Sequence, residues 1–526
     1  MANSLDIFHG IIVFLVLTLL GHVAPCARAL DVDALRGALE DAEVVAVFRD
    51  DLDYVNASLA YNLRYNVSPV AIAYPSTPQQ VSAVVQAGGS QGLAVTARSG
   101  GHSYIAAGLG GTDGALVVDM TSFNETRVNA TDDTANVGAG VLLGDLALAL
   151  NEYGRALPHG RCPTVGYAPP FFCTPRYGHT SRMWGMLLDH IVSATVVLAD
   201  GSIVTASESE NANLFWAIRG AGPSFGIVLE FVFVTETIPL SGTAFHYGWN
   251  LTAADAIHAL ASFQDFVQSD IPQTFGAQLN FNKSTAAGYV NMEYFGEHWG
   301  DPTTLEAINE RFLDKLPVPD SADNFYGDWI TVLNASAWGD LNTSATPPQH
   351  STFYIKSLMV PEAEGLSPAA VDAFIEYLTD EHSVTSDVSW FVEIELYGGS
   401  GSAINTVATD KTAFPHRDKK FTMQLAALSP NDQPPYPDDG FSFLDGLVNA
   451  IVESESVSWP YGAYVNYADA RLENCNARYR ADYADPTYFP GQTLYFGDNY
   501  KRLSELKRLY DPDNLFRFPQ SIELDI

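Results

Sequence analysis

Positive charge is scarce in this chain. Its 526 residues carry 27 lysines and arginines against 62 aspartates and glutamates, a formal net charge of −35. A field of that sign repels polyanions, so nucleic acid and anionic membrane surfaces are excluded as partners. Cysteine is also sparse, at four. Neither a Cys-x-x-Cys nor a His-Glu-x-x-His pattern occurs, so no metal centre is expected. Internal repeats, low-complexity tracts and long linkers are missing. The apolar run Ile11–Leu20 is too short to cross a bilayer, and no later run is long enough.

That run has another reading. Small residues follow it, and Ala27-Arg28-Ala29 offers a cleavage site, so residues 1–29 read as a secretory signal. "MANSLD" supplies no basic residue ahead of the run, and the competing reading is an uncleaved anchor. Cleavage removes Cys26 and leaves Cys162, Cys173 and Cys475, an odd number, so at least one thiol has no intramolecular partner. Eight Asn-x-Ser/Thr sequons begin at Asn56, Asn66, Asn124, Asn129, Asn250, Asn282, Asn334 and Asn342. Together these features predict a secreted, glycosylated, extracellular protein that leaves the membrane once its signal is cut.

An apolar fraction of 47% is enough for one large or two ordinary domains. Residues 65 to 238 alternate short β-rich runs with helical stretches. "SATVVLADGSIVTAS" reads as a hairpin with Asp200-Gly201 at its turn, and "NANLFWAIRGAG" as a helix stopped by glycine. From about 240 to 475, helical segments such as "AADAIHALASFQDFVQ" are interleaved with alternating runs. In "KKFTMQLAAL", Phe421, Met423 and Leu425 point one way, and Thr422 and Gln424 the other. The expectation is an α+β protein whose second domain is an antiparallel sheet with helices on one face. "NYKRLSELKRLYDPDNLFRF" closes the chain as a basic helix and a turn.

The stretch with most chemistry is "ARSGGHSY" (Ala97–Tyr104). A strand enters a Gly-Gly turn whose bare amides can approach a phosphate closely, with an Arg before and a His and a Tyr after. Alone, such a turn is ordinarily only a turn. Here "RSGGHSY" with "GGTDGALVVDM", then "GRCPTVG", "SRMWGMLLDHIVSATVVLADG", "LFWAIRGAGPSFGIV" and "YFGDNYKRLSELKRLYDPDNLFRFPQSI" resemble secreted oxidases of the berberine-bridge type, within the vanillyl-alcohol-oxidase superfamily. The resemblance covers nearly the whole mature chain. It implies a two-domain FAD-binding (PCMH-type) fold: an FAD domain over 30–239, a substrate domain over 240–475, and a segment over 476–526 returning to the FAD domain.

The resemblance also implies FAD held by two covalent bonds, through His102 to the 8α carbon and Cys162 to carbon 6. Both side chains are nucleophiles suited to an oxidised flavin. It places the other cofactor contacts at Arg98, Ser99, Gly100, Gly101, Ser103, Gly166, Asp189, Gly220, Gly222, Ile227 and Asn499. In "YVNY", Tyr467 is the candidate base. A free phenol has a pKa near ~10 and needs help at neutral pH. The carboxylate of "ELYGG", Glu395, can accept its hydrogen bond. Sugar oxidases carry an Asp at that place, one methylene shorter. Gln424 stands where berberine-bridge enzymes use a Glu base. An amide cannot take a proton but can bind a hydroxyl. Tyr104 is expected to line the pocket.

These residues predict hydride transfer from an alcohol, foremost the anomeric hydroxyl of an oligosaccharide, to flavin N5, with dioxygen as acceptor and hydrogen peroxide as product. Rival readings are an oxidase of a small secondary metabolite and a non-catalytic flavin-fold protein. Two departures stand out. The glycine-rich run that relatives place after the Cys motif is replaced by "YAPPFFCTPRYG", residues 167–178, as a shifted reading frame or splice error in the gene would do. The positions of a disulfide common among relatives hold Ala38 and Ala87. Cys173 is left to pair with Cys475 or with nothing.

Overall fold

The computed structural model describes residues 30–167, 176–337, 339–345, 349–469, 471–472 and 490–524. Residues 1–29, where a signal is expected, and Cys173 and Cys475 lie outside the described residues.

The glycine turn is carried by a small sheet. Val95–Arg98 and Ala71–Tyr74 flank Leu116–Asp119, both parallel to it, and Val45–Phe48 pairs antiparallel at the far edge. The two central strands, Ala71–Tyr74 and Leu116–Asp119, open on three apolar residues without alternation because the sheet is covered on both faces. Ile72 and Val117 pack with Leu109 on one side. Val95, Leu116 and Val118 pack on the other against Val81, Val84 and Val85 of the helix Pro78–Ser90. Thr77 starts that helix: its hydroxyl accepts the Gln80 amide at 3.2 Å, and Pro78 occupies the first turn. Gly88 allows helix and strand to touch, since a Cβ there would lie 2.4 Å from Val95 Cγ2.

A five-stranded antiparallel sheet follows, in the order Thr126–Asn129, Thr134–Gly138, Ile227–Val234, Ile191–Val197, Ile203–Ser207. Its last two strands form the expected hairpin. Gly201 turns it at φ +83°, its amide donating to Leu198 O at 2.9 Å.

The second half is a seven-stranded antiparallel sheet, ordered Ser321–Gly327, Gly242–Thr252, Tyr289–Trp299, Phe275–Asn282, Ser389–Leu396, Lys419–Leu428, Phe353–Pro361. Period-two alternation divides its faces. Val392, Ile394, Phe421, Met423 and Leu425 join the core beneath the helices Ala253–Gln268, Pro368–Thr379 and Asp438–Glu453. Glu393, Glu395 and Gln424 face the other way, into a cavity. This is the α+β arrangement expected, with helices on one face of the sheet.

The last residues return to the first sheet. Leu515 and Phe516 enter the core around Val95, and Val95 N donates to Leu515 O at 3.0 Å. A buried ion pair fixes the return: Lys507 Nζ lies 2.6 Å from Asp511 and donates to Ser224 O and Phe516 O. Asp511 accepts the amides of Leu515 and Phe516, so both charges are satisfied.

Candidate active site

Between the glycine turn and the polar face of the large sheet lies a cavity of about 1460 Å³, counted out to its mouth. One wall is Ser99–Tyr104 with Arg161, Cys162, Gly166 and Arg176. The sheet supplies Gln278, Glu393, Glu395 and Gln424, and Tyr464, Asn466 and Tyr467 close the end.

The first wall is bare backbone by necessity. Arg98 ends its strand paired with Asp119 at 2.6 Å. The chain then turns through Gly100, where a Cβ would lie 2.4 Å from Gly166 N and 2.6 Å from Thr164 O. A Cβ on Gly166 would meet Gly100 N at 2.7 Å. The two loops thus clasp backbone to backbone, which only glycine permits. Gly101 turns the chain at φ +74°, and the Ser103 hydroxyl accepts the Ala107 amide at 3.0 Å.

This clasp brings together two distant nucleophiles. The Thr164 hydroxyl lies 2.9 Å from His102 Nε2 and 3.7 Å from Cys162 Sγ. Tyr61 covers the imidazole, with ring centroids 4.4 Å apart. Burial, then the Arg176 charge, pulls the His102 pKa down to about 4, so the ring is neutral at working pH.

On the opposite side, Tyr467 donates to Glu395 Oε2 at 3.0 Å, and Tyr177 donates to the same oxygen. Gln424 Nε2 donates to Tyr104 OH at 3.1 Å, and the Tyr104 ring stacks on that of Tyr467, 6.1 Å away and 17° from parallel. Register explains the grouping: Glu393 faces Gln424 across one strand pair, and Glu395 faces Thr422 and Gln278. Burial pushes both phenols well above their usual value and raises Glu395 as well. Glu393 is also raised by burial, against the pull of Arg161 at 3.5 Å.

The wall fits a flavin. It offers bare amides, two nucleophiles at one hydroxyl, and two buried polar atoms without partners, Ser99 Oγ and Arg176 Nε. Arg98, Ser99, Gly100, Gly101, His102, Ser103, Cys162 and Gly166 all line this cavity, as do Tyr104, Glu395, Gln424 and Tyr467.

Five expected cofactor contacts do not line it. Asp189 spends both oxygens on the Arg417 guanidinium, at 2.7 and 2.8 Å. Asn499 donates to the carbonyls of Thr409, Thr412 and Ala413. Gly220 sits at φ +143° against that same segment, where a Cβ would be 2.5 Å from Phe414 N. Gly222 opens a short 3₁₀ turn, and Ile227 is buried beneath the first sheet. Each holds the scaffold together rather than lining the cavity.

Tyr61, Arg161, Arg176, Tyr177 and Glu393 line the cavity without having been singled out. Glu393 was within reach of the sequence, two residues from Glu395 on the same strand face. Tyr61 had no local signal. The pattern Gly-x-Ser-x-Gly occurs at 88–92 and 222–226. Ser90 donates to Ala87 O within a helix end and Ser224 accepts the Ile522 amide, so neither is a hydrolase nucleophile in this cavity.

A second cavity adjoins the first and shares Arg161 and Glu393 with it. Phe295, Phe325 and Phe391 line it beside His246, Asn280 and Glu293. The Arg161 guanidinium lies over the Phe295 ring at 4.6 Å.

Comparison with known proteins agrees with this geometry. A family model described as FAD binding domain matches residues 69–207, and one described as berberine and berberine like matches 463–523. A carbohydrate oxidase of Microdochium nivale is 35% identical over 96% of this chain and 98% of its own length. The glucooligosaccharide oxidase from Acremonium strictum, which carries a 6-S-cysteinyl, 8α-N1-histidyl FAD, superimposes with a TM-score of 0.83 at 32% identity, covering 93% of this chain and 99% of that one. A xylooligosaccharide oxidase from Myceliophthora thermophila C1, in complex with xylobiose, does so with a TM-score of 0.81 at 32% identity, covering 93% and 99%.

Proposed function

This chain belongs to the berberine-like FAD-linked oxidases, and from that membership we propose that it oxidises the anomeric hydroxyl of an oligosaccharide's reducing end. The observation that carries this reading is the hydrogen bond from Tyr467 to Glu395, beside Gln424 and across the cavity from His102 and Cys162. The second cavity, with its phenylalanines and amides, suits further sugar rings better than a compact metabolite.

Burial keeps the Tyr467 phenol protonated at neutral pH, so it is a relay rather than a free base. Its oxygen takes the proton of the substrate hydroxyl as its own proton moves to Glu395 Oε2. The raised pKa of Glu395 makes it a competent acceptor there. Gln424 donates to Tyr104, which leaves its amide oxygen for a neighbouring sugar hydroxyl. FAD, which His102 and Cys162 would hold, would supply the hydride acceptor and, with dioxygen, the outlet for its electrons. Secretion and glycosylation belong to the same reading, and seven of the eight sequon asparagines, all but Asn282, are exposed.

Cello-, xylo- and chito-oligosaccharides test the proposal. At least one series should bleach the flavin anaerobically and release peroxide in air, with an aldonic acid as product. Inertness toward all three moves the assignment to a small metabolite.

Tyr177 gives a finer test. Its phenol stabilises the ionised form of Glu395. Removing it in Tyr177→Phe raises the Glu395 pKa further, and Glu395 must be ionised to accept a proton. The acid limb of flavin reduction should therefore move to higher pH, with the rate lost most below neutrality. A profile that stays in place, or moves to lower pH, contradicts the role given to Glu395.

A further inference from the structure

Arg176 comes from the segment that departs from the family pattern. Arg176 is partly buried in the cavity wall that also holds His102 and Cys162, and its Nε is shielded from solvent. Among the described residues no carboxylate pairs with it, and Nε has no hydrogen-bond partner. Residues 168–175 contain no acid. The groups that feel its charge most are Tyr464, Tyr167, Cys162 and Tyr104, with His102 on the same wall. All of the phenols are uncharged at working pH.

A desolvated cation with no carboxylate beside it among the described residues is expensive, and an arginine does not escape by losing its proton. The chemistry of the site supplies a negative charge at this place. Hydride transfer adds one hydrogen nucleus and two electrons to a neutral ring, leaving a single negative charge there. The hydroxyl proton leaves separately to Glu395. A ring tethered at His102 and Cys162 lies within reach of the guanidinium, because both tethers do.

We propose that Arg176 is the counter-charge for the reduced flavin and sets how readily the cofactor is reduced. The proposal rests on the FAD reading above. It assigns Arg176 a positioning and electrostatic role, with no part in proton transfer.

Sulfite is the probe. Its sulfur lone pair adds to N5 of an oxidised flavin, and the adduct bears the same negative charge on the ring as the reduced form. Its dissociation constant is read from bleaching of the flavin band near ~450 nm, without substrate or turnover. Arg176→Met and Arg176→Gln should each weaken sulfite binding at least tenfold, while Arg176→Lys stays within about threefold of the parent. Tenfold corresponds to ~30 mV on a two-electron couple, so the midpoint potential should fall by that much or more. Two neutral variants guard against one failing to fold. Unchanged sulfite affinity in both overturns the proposal. So does loss of flavin from a folded neutral variant, which makes Arg176 an anchor of the cofactor. A colourless parent protein overturns both this inference and the FAD reading, whereas a yellow parent with unresponsive variants overturns the inference alone.

Discussion

Tyr467→Phe is expected to slow flavin reduction by about 10³-fold while leaving flavin content and its spectrum unchanged. The ring stays, so its stacking on Tyr104 and its packing beside Tyr464 persist. Only the oxygen that relays the proton goes. A hydride leaves an alkoxide far more easily than a neutral alcohol, and without the relay the hydroxyl proton has no acceptor in place. Glu395→Gln should fall in the same range for a different reason: the phenol keeps a partner, but the proton has no sink. Because the two residues act as one unit, the double variant should be little slower than either single one.

The pH profile separates the two variants. In the parent, reduction should fail as pH drops through the Glu395 pKa, which burial lifts above the ordinary carboxylate value. The sign follows from the role: an acceptor works only when ionised, so the rate is held above that pKa and lost below it. Glu395→Gln should abolish this limb. Anaerobic stopped-flow with excess oligosaccharide measures both effects. Tyr467→Phe within tenfold of the parent removes Tyr467 from the chemistry.

Legibility in the sequence followed the distance over which each constraint acts. Gly100 and His102 were readable because strand, turn and nucleophile are consecutive, and the turn cannot tolerate side chains. Gln424 was readable because a strand's period of two fixes its face once its apolar neighbours are known, and Glu395 because "ELYGG" stands where the resemblance places a carboxylate. Asp189, Gly220 and Asn499 lie outside the cavity because a residue can recur in a motif to join two segments of scaffold. Asp189 on Arg417 and Asn499 on the 409–413 carbonyls are joints of that kind. Tyr61 could not be found, since only tertiary packing carries it onto His102. Arg176 and Tyr177 sit beside the segment that looked least like the family, yet the one reaches the cofactor wall and the other the Glu395 carboxylate. A departure from pattern can change the cavity's charge without dismantling its geometry.

The second large effect concerns the tethers. Flavin should stay with acid-precipitated parent protein, and with His102→Ala or Cys162→Ala alone, and leave the pellet completely in the double variant. The physical basis is the Thr164 hydroxyl, which stands beside both nucleophiles. An imidazole can attack only through a nitrogen lone pair. A pKa of about 4 keeps the ring neutral over the working range, so one nitrogen carries the hydrogen and the other the lone pair. In the tautomer with its hydrogen on Nε2, the ring donates to Thr164 and Nδ1 is left to form the bond. Thr164→Val removes the hydroxyl that can select this tautomer without removing either nucleophile. It should slow the appearance of His-linked flavin in a Cys162→Ala background and leave Cys-linked flavin in a His102→Ala background nearly unaffected. Equal slowing in both backgrounds would mean that Thr164 shapes the wall as a whole. Slowing in the Cys162→Ala background alone would mean that it selects the reacting nitrogen.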